Sequence, residues 1–145
     1  MKDNILIVTA NFYPKISENL KKGAVNVFEA NNHKIKTIDV PGVFEIPAVI
    51  AKYIDSYIGI VALGCVIKGK TLHFDLISKT VTNALMDLSI KHKKPIGNGI
   101  ISCFNKKQAL ERSNSNKGIN KGKEAAIAVS HVIKSCQLHE TERSN

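Results

Sequence analysis

The sequence has no tryptophan, and only Arg112 and Arg143 are arginine among its 21 basic residues. Both shortages weigh against nucleic acid as a partner, despite a formal charge of +9. Base readout favours arginine forks, and single-strand binding favours aromatic platforms. The lysines are spread along the chain rather than gathered into a stripe, so anionic metabolites or simple solubility account for the charge equally well. No apolar run approaches the roughly 20 residues of a membrane span. Cys65, Cys103 and Cys136 form no CxxC pair and no metal-ligand spacing. Scattered and odd in number, they suit a reducing compartment, and at least two read as small buried hydrophobes. Met1-Lys2-Asp3-Asn4 leads straight into a strand-like run, so no signal peptide is expected and the protein is expected in the cytoplasm. With 145 residues and no repeat, one domain spanning the chain is expected.

What is present is organised around VALGCVIKGKTLHFD, residues 61–75. It begins as a buried strand, with Gly64 marking the strand's edge. Gly69 is expected to turn the backbone where a side chain would crowd it. Lys68 and Lys70 add positive charge, Thr71 can cap a helix, and Asp75 suits that helix's first turn. Phe74, Ile77, Val81, Leu85 and Leu88 then recur at helical spacing. A helix N-terminus offers free N–H groups to a phosphate or carboxylate. His73 lies in that mouth, and a histidine's unperturbed pKa of about 6.5 suits proton transfer near neutrality. The loop matches neither GxxxxGK[ST] nor GxGxxG. Taken alone, it reads equally well as a solvated surface connection.

Residues 5–10, ILIVTA, form a short apolar run that reads as a buried parallel strand. Pro14 suits the start of the following helix, whose apolar face is Ile16, Leu20, Ala24, Val27 and Phe28. His33 reads as a solvated turn residue. Residues 35–40 alternate apolar and polar, as in an edge strand. Pro41-Gly42 is a tight turn, and Pro47 falls in the first turn of the next helix. Residues 58–64 are a third strand. Pro95 ends the long helix, with His92 solvated in its last turn. Residues 99–103 are a fourth strand, and Asn105 caps a short helix that runs to Arg112, with Gln108 in a capping-box position. A polar loop covers 113–123, a last helix 125–136, and 137–145 are expected to fray.

This β-α-β-α-β-α-β-α-α order implies a three-layer α/β/α sandwich around a four-stranded parallel, flavodoxin-like sheet. The turns after strands one, two and three carry Phe12, the Val43-Phe44-Glu45 group and the Cys65-to-His73 loop. All three should converge at the carboxyl edge of the sheet, where ligands of such folds bind. Each has a plainer reading: Phe12 as a core cap, Glu45 as a complement to a helix dipole. An aromatic ring there could stack on a planar ligand, and Arg112 could grip an anion with a bidentate fork.

The motifs resemble those of the lumazine synthases, which catalyse the penultimate step of riboflavin biosynthesis. Asn11-Phe12-Tyr13 resembles the family's ARFN segment. VPGVFEIP (40–47) matches its VPGAFEIP, and 61–75 is similar to ALGTVIRGxTxHFD. QALERS (108–113) resembles QAIERA, and NKGKEAA (120–126) resembles NKGAEAA. The match stays in register over about residues 5–132. The resemblance implies condensation of a ribitylaminouracil with a dihydroxybutanone phosphate, needing neither metal nor organic cofactor. It implies that Phe12 stacks on the pyrimidine and that Val43, Phe44, Glu45, Cys65, Val66 and Ile67 hold the uracil and its ribityl chain. Lys70, Thr71 and Arg112 would bind phosphate, and His73 would transfer protons. A homopentamer with sites between subunits is implied, and riboflavin synthase is a candidate partner.

The chain departs from the family in four places. Asn98 stands where an aromatic residue is usual, so an amide would replace apolar cover over the pyrimidine. Ser102-Cys103 replaces a Thr-Thr pair, and Lys68 replaces an arginine. The hinge before Asn120 is one residue longer, which favours a free pentamer over a larger shell. Three other readings remain open at this stage. They are a flavin or lumazine binder that keeps the fold, an RNA-binding accessory protein suggested by charge alone, and a flavodoxin-like nucleotide binder with different chemistry.

Overall fold

The computed structural model describes residues 4–69, 73–114 and 118–144. The first apolar run becomes β1 (Asn4–Ala10), buried from Ile5 onward. A strand with no polar face must lie inside a sheet, and β1 does. It pairs in parallel with β2 (Lys34–Val40) on one side and β3 (Gly59–Ile67) on the other, and β4 (Ile96–Cys103) follows in parallel beyond β3. The order is β2-β1-β3-β4. The alternating strand β2 is an edge, with a mostly exposed pattern.

Helices cover both faces, giving the expected three-layer α/β/α, flavodoxin-like arrangement. On one face, α1 (Pro14–Ala30) and α5 (Lys121–Ser144) pack Ile16, Leu20, Phe28, Ala126 and Val129 against Ile5, Ile7, Val61 and Leu63. On the other, α2 (Ile46–Tyr53) and α3 (His73–His92) pack Ile46, Ile50, Val81 and Leu85 against Leu6, Val8, Ile60 and Ala62. Each buried Val, Leu, Ile or Phe side chain among these contributes about 1.5–3 kcal/mol. Pro14 opens α1, where its missing N–H costs nothing. The short α4 (Lys106–Glu111) is capped by Asn105, whose Oδ1 accepts from the Gln108 N–H at 2.9 Å. Gln108 Oε1 answers by accepting from the Phe104 N–H at 2.8 Å.

Several boundaries differ from expectation, each for a physical reason. β3 does not end at Gly64 but continues to Ile67. Gly64 is a site of close approach: a Cβ there would lie 2.9 Å from Val43 Cγ2 and 3.1 Å from the Ala10 Cβ. Gly69 was expected to relieve crowding, yet among the described residues an added Cβ meets nothing within 4 Å, and its φ is not left-handed. The proposed cap Thr71 lies outside the described residues. β4 starts at Ile96 rather than at residue 99, because Gly97 and Gly99 let α5 lie directly on the strand. A Cβ on Gly97 would sit 2.7 Å from the Ala125 carbonyl oxygen. α5 starts earlier than expected, at Lys121, because Asn120 caps it by accepting from the Lys123 N–H at 2.9 Å. It remains helical to Ser144, where a frayed end was expected, although its side chains from residue 134 onward are exposed.

Two histidines are less solvated than their neighbours suggested. His33 packs edge-on against Phe28, with ring centroids 5.9 Å apart, and its Nδ1 is buried. His92 Nδ1 lies 3.2 Å from Asp55 Oδ1.

Candidate active site

Chain connectivity reverses direction between β1 and β3, and a cleft opens at the carboxyl edge of the sheet beside that switch point. Its volume is about 740 Å³, in the range of small-molecule sites. Three connections build it. After β1, Phe12 and Tyr13 form one wall. After β2, Pro41 to Glu45 form a second, held by the Asn11 N–H donating to the Val40 carbonyl at 2.9 Å. The end of β3, Cys65 to Ile67, forms the floor, and α3 closes the cleft from above.

The sequence therefore placed Phe12, Val43, Phe44, Glu45, Cys65, Val66, Ile67 and His73 around one space, and the structure brings all of them together. Phe12 and Phe44 are 69% and 62% exposed, rings left at the rim that no core contact requires. Val43 is buried beneath them, seated on Gly64. Glu45 ends a single 3-10 turn, Val43–Glu45, and its carboxylate curls back over Gly42, where a Cβ would come within 3.0 Å of Oε1. His73 is the first residue of α3 and is exposed.

Leu76, Ile77 and Thr80 also line the cleft, and of these the sequence singles out only Ile77, as part of an apolar helix face. Their signal was available: with His73 they fall at i, i+3, i+4 and i+7, one face of a helix.

Cys65 lines the cleft, but as a buried residue. Its side chain packs into the α1/α5 core and is 4% exposed. Burial, followed by the neighbouring Cys103 thiol, pushes the Cys65 thiol up to about 12. It stays protonated at neutral pH and is no nucleophile.

Asn98 and Arg112 are not among the described residues that line this cleft. Asn98 lies exposed in edge strand β4, its Oδ1 accepting from the Ile100 N–H at 3.0 Å. Arg112 follows α4 at the far side of the sheet, where Nη1 donates to Cys103 Sγ at 3.4 Å. No carboxylate among the described residues lies within ion-pair distance of Arg112. Lys70 and Thr71 lie outside the described residues. Between these two regions, the Lys68 ammonium sits 5.3 Å from the centre of the Phe104 ring, and Phe104 in turn meets Phe74 at 6.4 Å. Among the described residues no group of three or more His, Cys, Asp or Glu could hold a metal ion, and no helix is long and apolar enough to cross a membrane.

The arrangement suits a planar polar heterocycle. Exposed rings can cover its faces, main-chain groups of Val43–Glu45 and Cys65–Ile67 can read its edges, and His73 can move protons beside it. Comparison with known proteins points the same way. A family profile described as 6,7-dimethyl-8-ribityllumazine synthase matches residues 2–137. A protein of that name from Bartonella tribocorum is 47% identical, over 91% of this chain and 89% of its own length. One from Bartonella bacilliformis is 44% identical over 90% and 88%, and one from Afipia carboxidovorans 41% over 90% and 83%. With the cleft residues, the parallel sheet and the sequence match in agreement over nearly the whole chain, the protein belongs to the 6,7-dimethyl-8-ribityllumazine synthase family of enzymes.

Proposed function

We propose that this enzyme condenses 5-amino-6-(D-ribitylamino)uracil with 3,4-dihydroxy-2-butanone 4-phosphate, the penultimate step of riboflavin biosynthesis. The uracil amine forms a Schiff base with the ketone. Phosphate is eliminated, the ring closes and water leaves, giving 6,7-dimethyl-8-ribityllumazine. The observation that carries this reading is the convergence of Phe12, Val43–Glu45, Cys65–Ile67 and His73 on one cleft.

In this reading Phe12 stacks on the pyrimidine, and the polar main chain of Val43, Phe44, Glu45, Cys65, Val66 and Ile67 holds the uracil and ribityl groups. Holding both reactants in contact makes such a bimolecular condensation effectively unimolecular. His73, at the mouth of the cleft, relays the protons that imine formation and phosphate loss require. Lys70, Thr71 and Arg112 receive the phosphate. The positive end of α3 favours the same charge.

Arg112 and Asn98 are not among the described residues lining this chain's cleft, so they join the site by serving a neighbouring subunit's cleft. That separation supports a ring in which each site is shared, and we propose a homopentamer. Asn98, with its carbonyl oxygen already engaged, offers its amide N–H groups as donors. The three unpaired cysteines fit a cytoplasmic setting, and riboflavin synthase is the partner that would receive the product.

The test is direct. Purified protein mixed with the two substrates should generate lumazine fluorescence well above the uncatalysed background. A rate no greater than background, with tight binding of lumazine retained, would replace the condensation with simple binding.

A further inference from the structure

The Arg112 guanidinium has an unusual partner. Its only described side-chain hydrogen bond runs from Nη1 to Cys103 Sγ, at 3.4 Å. A carboxylate in that place would form a bidentate pair and consume both the fork and the charge. A thiol sulfur is a weak, neutral acceptor, so it can set direction while leaving the charge in place.

Cys103 is well fixed for that purpose. It is fully buried at the last position of β4, opposite Ile67, and its carbonyl accepts from the Lys68 N–H at 2.8 Å. Its side chain is packed in the same core cluster as that of Cys65. The Arg112 main chain is fixed too. Its N–H donates to the Gln108 carbonyl at 3.1 Å, and its own carbonyl accepts from the Lys121 N–H at 2.9 Å. With both ends of the backbone held, the sulfur contact decides where the long side chain points.

We propose that Cys103 is a positioning residue for Arg112: its sulfur aims the guanidinium without neutralising it, so that the charge is pre-directed at the phosphate of the four-carbon substrate. This rests on the condensation proposed above. Without the contact, Arg112 keeps its charge but must be ordered each time phosphate binds, which weakens binding of that one substrate and leaves the chemical steps alone.

The experiment compares Cys103→Val, which removes the acceptor while filling the space, with Cys103→Ser, which supplies a stronger one. In Cys103→Val the KM for the butanone phosphate should rise roughly five- to tenfold, with kcat and the KM for the ribitylaminouracil within about twofold of the parent. Cys103→Ser should restore the phosphate KM. Equal phosphate KM values in the parent and Cys103→Val would overturn the proposal, as would a uniform loss in both variants with lowered melting temperatures, which would mean that Cys103 only packs. Calorimetric titration with inorganic phosphate gives a readout independent of turnover. If the parent forms no lumazine, the condensation fails first, and equal phosphate affinity in parent and Cys103→Val then rejects the positioning role by itself.

Discussion

Phe12 and Tyr13 meet edge to face, with ring centroids 5.0 Å apart and planes at 89°. Tyr13 is half-buried against the α1/α5 core, so its ring is a fixed surface that holds the exposed Phe12 ring upright at the mouth of the cleft. An upright, solvent-facing ring is prepared to cover a flat heterocycle. Phe12→Ala should therefore raise the KM for the ribitylaminouracil by about tenfold, on the scale of about 1–3 kcal/mol for stacking a base on an aromatic side chain. Its melting temperature should barely change. Phe12→Trp should recover most of the loss, and steady-state kinetics on the three proteins checks this.

His73→Ala should lower kcat by roughly 10²–10⁴ if proton transfer runs through the imidazole. Substrate KM values should move much less. A variant that turns over at the parental rate would take His73 out of the mechanism.

Arg112→Lys keeps the charge but loses the planar fork. The KM for the butanone phosphate should rise in Arg112→Lys and rise further in Arg112→Ala, while binding of the ribitylaminouracil is unaffected. Competition by inorganic phosphate should weaken in the same order. An unchanged phosphate dependence in Arg112→Ala would remove this residue from the site.

The cysteines should separate by reactivity. Cys136 is exposed, whereas Cys65 and Cys103 are buried, so a thiol reagent should modify one cysteine per chain in the folded protein and three after denaturation. The pH dependence follows from Cys65, which holds its proton to about 12 when folded against 9.0 when unfolded. The native state then binds more protons than the unfolded state above that lower value. Its contribution is flat below about pH 9 and destabilising as pH rises from there towards 12. Denaturation of the parent and Cys65→Ala at about pH 8 and about pH 10 should show the stability gap narrowing at the higher pH.

Gly64→Ala forces Val43 or Ala10 to move, because the new methyl would lie within 3.1 Å of both side chains. Overpacking of this kind costs about 1–3 kcal/mol. Since Val43 also lines the cleft, thermal melting should fall and the KM for the ribitylaminouracil should rise together. A drop in stability with unchanged kinetics would uncouple the two.

Much of this was legible from residue patterns. The unbroken apolar run at 5–10 could only be an interior strand, and the alternation at 35–40 only an edge. The turns after three successive parallel strands had to meet at one end of the sheet, which is why Phe12, Glu45 and His73 could be grouped before any coordinates. What could not be read was close packing. Gly64 and Gly97 look like strand ends in a sequence, because nothing local distinguishes a turn glycine from one that lets another element touch the backbone. Nor does a sequence say which faces oppose each other across the sheet. Asn98 enters only through the family resemblance, which implies sites shared between subunits, and within one chain neither it nor Arg112 is among the described residues lining the cleft with Phe12.

The bond between Asn98 Oδ1 and the Ile100 N–H has a consequence for how copies of this protein can meet. β4 is an outer strand, and an outer strand offers its unused N–H groups as a template for further strands. Here one of those groups is already taken by the chain itself. A strand laid alongside would have to break that bond before it could make its own. Growth of the sheet from molecule to molecule is thus discouraged at the β4 margin, and a neighbour that meets this edge must do so through side chains and shape rather than by adding a strand.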